Sequence, residues 1–92
     1  MSPRVVFSFD DVLDVVSAKL ADACVVRARP VATDAHMVLK LDASGRVVGL
    51  ELLGPTGLRP TFWRAHPARN ELPVDLLVEL DKWLEALWST RR

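Results

Sequence analysis

Asp10, Asp11 and Asp14 crowd one short stretch, and paired carboxylates can hold a divalent cation or divide acid and base roles. Capping of a helix start is the simpler account, because it uses acidic side chains without any ligand. His36 and His66 have the only imidazoles, groups able to move protons near neutral pH or to ligate a metal. Neither stands at a ligand spacing with Cys24 or with a carboxylate, so both read as structural. Cys24 is the single cysteine, which excludes an intramolecular disulfide and a four-cysteine zinc site. It reads as a small buried apolar residue at a strand start, with nothing nearby to activate its thiol. Ser17, Ser44 and Ser89 each complete a Ser, His and Asp set on paper, yet none lies in a nucleophile elbow. No catalytic residue, cofactor or metal ligand is therefore assigned, and the chain reads as a protein without enzymatic activity.

One basic and aromatic cluster remains: Arg59, Phe62, Trp63, Arg64 and Arg69, with His66 among them. Arginines beside an indole can contact phosphates and stack on a base. The same residue types are favoured where one protein grips another. A third account is a solvated arm with its aromatics tucked into the core.

Elements must position these groups. Arg4 to Phe9 predicts a short strand. Asp10 to Ala23 then spaces Leu13, Val16, Leu20 and Ala23 at steps of three or four, the stripe of an amphipathic helix. A strand from Asp14 to Leu20 competes, since Val16, Ala18 and Leu20 also alternate; Ala18, Ala21 and Ala23 favour the helix. Cys24 to Val31 predicts a strand with Arg27 and Arg29 on one face, in which Pro30 marks the end or a sheet edge, and Ala32-Thr33-Asp34 a turn. His36 to Leu41 and Arg46 to Leu53 form two further strands around Asp42-Ala43-Ser44-Gly45, a hairpin loop in which Gly45 takes positive φ. Gly54 to Glu71 is interrupted by Pro55, Pro60 and Pro67 and forms an arm, either ordered or mobile. Leu72 to Ser89 is a helix with Pro73 in its first turn, and Arg91 and Arg92 stand beyond its C-terminal end. Its Leu76, Leu80, Trp83, Leu84, Leu87 and Trp88 cover a face wider than a four-stranded sheet shelters, so these six residues are the expected homodimer interface, the alternative being that the arm folds over the surplus.

With 92 residues, half of them apolar and 26% charged, the chain suits one folded domain, divided as strands and helix over 4–53, arm over 54–71 and terminal helix over 72–89. Twelve acidic residues balance twelve basic ones, so no global charge favours nucleic acid or an anionic membrane. The N-terminal apolar run is too short for a signal peptide or a membrane span, and a lone cysteine fits a reducing compartment; the expected location is the cytoplasm.

The run Asp42-Ala43-Ser44-Gly45-Arg46-Val47-Val48-Gly49-Leu50-Glu51-Leu52-Leu53 resembles the closing motif of the small bacterial family called domain of unknown function 2283. That pattern is an apolar strand ending in Asp, a turn with Gly, then apolar, Gly, apolar, Glu, apolar, apolar. Ala21-Asp22-Ala23 before Cys24-Val25-Val26-Arg27 is similar to the family's Ala-Asp-Ala motif, and a second register sets Phe9-Asp10 and Asp14 on its aromatic-Asp and Asp positions, with Ser17 and Ala18 in place of its usual bulky pair. The resemblance spans residues 9–54 and leaves out the arm and terminal helix. It implies a β-rich accessory protein without catalytic residues and an antitoxin- or immunity-like role beside toxin-like nucleases.

The expected fold is α+β: an antiparallel meander of about four strands, a helix near the N-terminus, and a hydrophobic C-terminal helix packed on the sheet. The expected function is a non-catalytic protein-interaction module that binds a partner through Arg59, Phe62, Trp63, Arg64 and Arg69 and through the terminal helix. The alternative is a nucleic-acid-binding homodimer using Arg27, Arg29, Arg59 and Arg64. A ligand pocket or small enzyme site beneath the arm is a third reading and requires a defined cavity.

Overall fold

In the structure, a computed structural model that describes residues 4–32 and 34–90, the hairpin around Gly45 is in place. The Asp42 carboxylate accepts the N–H groups of Ser44 at 2.9 Å and Arg46 at 3.0 Å and the Ser44 hydroxyl at 2.6 Å, while Gly45 supplies a φ of 85°. The Ser44 hydroxyl, then the Arg46 N–H, hold this carboxyl below its ordinary value.

Among the described residues five strands form one antiparallel sheet: β1 (Val5–Asp10), β2 (Val15–Leu20), β3 (Arg27–Val31), β4 (Asp34–Leu41) and β5 (Val47–Leu53), in the order β1-β2-β5-β4-β3. The α+β class and the antiparallel sheet stand as expected, but residues 10–23 form no helix, and the described residues make five strands where about four were expected. Residues 10–23 instead make a turn and β2. Asp10 folds its carboxylate onto the N–H groups of Val12 and Leu13, both 3.0 Å away, and Asp14 takes a left-handed φ of 54°, which stops helical propagation. Beyond it, Val16 and Ala18 turn inward between β1 and β5, so long-range pairing on both sides outweighs the helix preference of the alanines.

The link 21–26 carries the chain from β2 to the far edge, where the Val26 N–H donates to the Leu41 carbonyl at 2.9 Å. Cys24, expected to be buried at the start of a strand, is exposed within this link. In β5, Gly49 lies so close to β2 that an added Cβ would meet the Ala18 carbonyl oxygen at 2.7 Å and the Lys19 Cβ at 3.0 Å. Backbone on an inner strand cannot step aside, so Gly49→Ala is expected to cost about 1–3 kcal/mol, read as a shifted urea midpoint at unchanged slope.

The arm is ordered. It runs through 3₁₀ turns at Pro55–Gly57 and Pro67–Glu71 and a short helix α1 (Pro60–Arg64), with a proline opening each. Helix α2 (Val74–Thr90) then lays Leu76, Leu80, Leu84 and Trp88 on the sheet face made by Val5, Val16, Ala18, Met37, Leu39, Leu50 and Leu52. Trp63 and Ala68 from the arm and Leu72 just beyond it complete this core. No helix among the described residues is long and apolar enough to cross a membrane. The expectations for Thr33 and for Arg91 and Arg92 fall outside the described residues.

The dimer interface expected on α2 requires correction. Leu76, Leu80 and Leu84 are fully buried and Trp88 is 5% exposed, its indole N–H donating to the Pro55 carbonyl at 2.9 Å. Trp83 is half-buried, stacked on Phe7 at 5.8 Å and edge-on to Phe9 at 5.4 Å, and Leu87 is also half-buried. The sheet shelters this face because the segment read as a second helix became a strand. It widens the platform, and the arm packs beside α2.

Candidate functional site

The arm is tied down by two polar clusters. In the first, the Asp81 carboxylate on α2 accepts the Trp63 indole N–H at 2.8 Å and both guanidinium branches of Arg69, at 2.7 and 3.0 Å. Arg69 also lies over the Trp63 ring, 5.1 Å from its centroid. Trp63 is 1% exposed. An indole buried to that degree needs an acceptor for its N–H, and Asp81 supplies one that is also charged. Arg64, one turn along, pairs with Glu85 of α2 at the surface.

In the second cluster His66 is buried at the start of a 3₁₀ turn, where its Nδ1 accepts the Ala68 N–H at 3.1 Å. Nε2 therefore carries the ring proton and donates it to Asp34 Oδ2 at 3.0 Å. The other Asp34 oxygen accepts the His36 backbone N–H at 2.9 Å and lies 3.3 Å from the exposed His36 ring. Asp34 thus joins β4 to the arm and spends both oxygens in doing so.

Burial pushes both carboxyls up, but the hydrogen bonds outweigh it and leave them below the ordinary carboxylate range. At Asp34 the His36 N–H and the His66 ring do this; at Asp81 the Arg69 guanidinium and the Trp63 N–H do. A carboxyl lowered by folding contributes stability that is present above its unfolded pKa of about 3.9 and is lost as pH falls through its folded value. The wild-type chain should therefore lose stability as pH falls below about 4. In urea melts taken across that range, Asp81→Asn and Asp34→Asn are each expected to show a shallower loss.

Between the arm and the ends of β4 and β5 lies an open cleft of about 430 Å³. Met37, Leu52, Leu53, Leu58 and Phe62 give it apolar walls, and Asp34 and His36 stand at one side. Phe62 is 58% exposed, with its ring edge-on to His66 at 5.9 Å. It is a large aromatic left at the rim by a fold that buries the neighbouring Trp63.

The residues expected to bind a partner are thereby separated. Phe62, Arg59 and Arg64 are on the surface, whereas Trp63 belongs to the core and cannot anchor a partner, and Arg69 is committed to Asp81. Arg29 of β3 pairs with Glu71 at 2.8 Å, so among the arginines considered for nucleic acid, Arg29 and Arg64 already have carboxylate partners. The acidic cluster serves the turn: Asp10 holds Val12 and Leu13, and Asp14 accepts the Thr56 hydroxyl at 2.5 Å, pinning the arm to the β1–β2 turn. Among the described residues no three side chains of the His, Cys, Asp and Glu types converge to hold a metal.

Asp34 and Asp81 were not recognised in the sequence as site residues. The available signal was the demand of Trp63 and Arg69 for an acceptor, which does not say which distant carboxylate meets it. Compared with family models, with curated proteins and with solved structures, the chain matches none.

Proposed function

We propose that this chain is a protein-interaction module without chemistry of its own, and that it receives an apolar side chain of a protein partner in the cleft beneath the arm. The observation that carries this reading is the cleft itself: walls of Met37, Leu52, Leu53 and Leu58, an exposed Phe62 at the rim, and an arm tied down by Asp34 and Asp81. A preformed apolar recess with few polar groups favours insertion of an anchor residue, and rigidity lowers the entropic cost of binding. Asp34 and His66 support binding over catalysis, since their polar atoms are engaged with each other and with backbone. The antitoxin- or immunity-like role implied by the hairpin resemblance names one class of partner, a toxin-like nuclease held in check in the cytoplasm.

A displayed peptide library tests the reading. Selected peptides are expected to share one bulky apolar residue and to shift the amide resonances of Leu53, Gly54, Gly57 and Leu58. Phe62→Ala should weaken them by about tenfold or more while leaving the melting curve near that of wild type. Peptides that shift resonances elsewhere, or bind Phe62→Ala equally well, would overturn the assignment.

A further inference from the structure

The two edges of the sheet differ. The β3 edge is blunted by Arg27, Arg29, Pro30 and an irregular register between Pro30 and Val31, the devices that keep a strand from pairing further. The β1 edge has none of these between Arg4 and Asp10, and its pairing with β2 is regular throughout. The Arg4 carbonyl accepts the Ala21 N–H at 2.8 Å, which directs the even-numbered residues of β1 toward β2 and the backbone groups of Val5, Phe7 and Phe9 outward. Among the described residues no hydrogen bond reaches these outward groups.

We infer that the free edge of β1 pairs antiparallel with β1 of a second copy, about a two-fold axis at Phe7, joining two sheets into one. Only this register pairs every outward residue, Val5 with Phe9 of the copy, Phe7 with Phe7 and Phe9 with Val5. The same register, chosen on backbone grounds alone, sets Arg4 opposite Asp10 of the copy at both ends. The strand Arg4-Val5-Val6-Phe7-Ser8-Phe9-Asp10 is thus complementary to itself in charge as well as in hydrogen bonding. Arg4 is free to change partner, since its present bond to Asp75 joins side chains that are 78% and 54% exposed. The apolar surface agrees. Val6 is 46% exposed on the strand, and on α2 Val78, also 46% exposed, lines with Arg4 and Val5 a shallow cleft at the start of β1.

Sedimentation of the unaltered chain from about 10 μM to about 1 mM is expected to show a monomer–dimer equilibrium. Hydrogen exchange at the outward amides of Val5, Phe7 and Phe9 should slow as the dimer fills, whereas Val6 and Ser8, already bonded to β2, should change little. Arg4→Asp and Asp10→Arg, each alone, set like charges opposite one another at both ends and should weaken self-association by about tenfold or more. An equal mixture of the two restores opposite charges at both ends and should recover association as a heterodimer. A strict monomer at the highest concentration overturns the inference, as does exchange at Phe7 that ignores concentration. A mixture no tighter than either variant alone overturns it as well, and the exchange experiment stands on the wild-type chain should a variant fold poorly.

Discussion

Trp63→Ala is expected to remove about 3–5 kcal/mol of folding stability, the usual loss for truncating a fully buried aromatic. A chain of this length holds roughly 5–14 kcal/mol in all, so the variant should lie near the edge of folding at 25 °C. Two losses combine. The cavity left in the core carries the larger one, because Trp63 packs at 1% exposure among residues of both the sheet and α2. The smaller arises at Asp81, which keeps Arg69 but loses its indole donor. Trp63→Phe separates them, since it refills most of the volume without the N–H, and should cost about 1–3 kcal/mol. Guanidinium melts of both variants check the order. A Trp63→Ala chain as stable as wild type would show that the arm is not part of the core.

Leu80→Ala is expected to cost about 2–5 kcal/mol, with the spread set by how far the surroundings collapse. Leu80 is fully buried midway along α2, flanked by Leu76 and Leu84 at equal depth. The loss should be the same at about 5 μM and about 500 μM protein, because the residue packs within its own subunit and contributes nothing to association. A loss that appears only at high concentration would return Leu80 to a subunit interface. Val78, on the outer flank of the same helix, has the opposite expectation: Val78→Ala should leave the monomer's stability within about 0.5 kcal/mol of wild type.

These two residues mark how much of the fold was legible. The apolar stripe of the terminal helix was readable because a helix repeats locally, and its bounds, 72–89 expected and Val74–Thr90 observed, agree closely. What covers the stripe was not readable, because the width of the sheet depended on residues 15–20. In that run Val16, Ala18 and Leu20 satisfy a period of two while Val16 and Leu20 also stand four apart, so the pattern alone admits both structures. Only β1 on one side and β5 on the other decide it. The misread helix therefore produced a second error, the α2 dimer interface, by making the sheet too narrow.

The candidate site divides in the same way. Phe62, Trp63 and Arg69 stood out as aromatic and basic residues in a proline-rich segment, but their fates differ: rim, core and clamp. The short helix α1 turns successive side chains about 100° apart, so that Phe62 faces outward and Trp63 inward. The carboxylates that receive Trp63, His66 and Arg69 come from elements remote in sequence, and no local spacing announces such partners.

By itself, then, the order of amino acids determined the hairpin at Asp42–Gly45, the apolar helix at the end and the proline-punctuated arm between them, all products of sterics and hydrogen bonds among near neighbours. The tertiary structure alone decided that residues 15–20 are a strand, that α2 finds shelter within its own subunit, and that Asp34 and Asp81 lock the arm over an open cleft. Those outcomes rest on contacts between distant segments, where a pairing partner or a buried acceptor outweighs a local preference of a few tenths of a kcal/mol per residue.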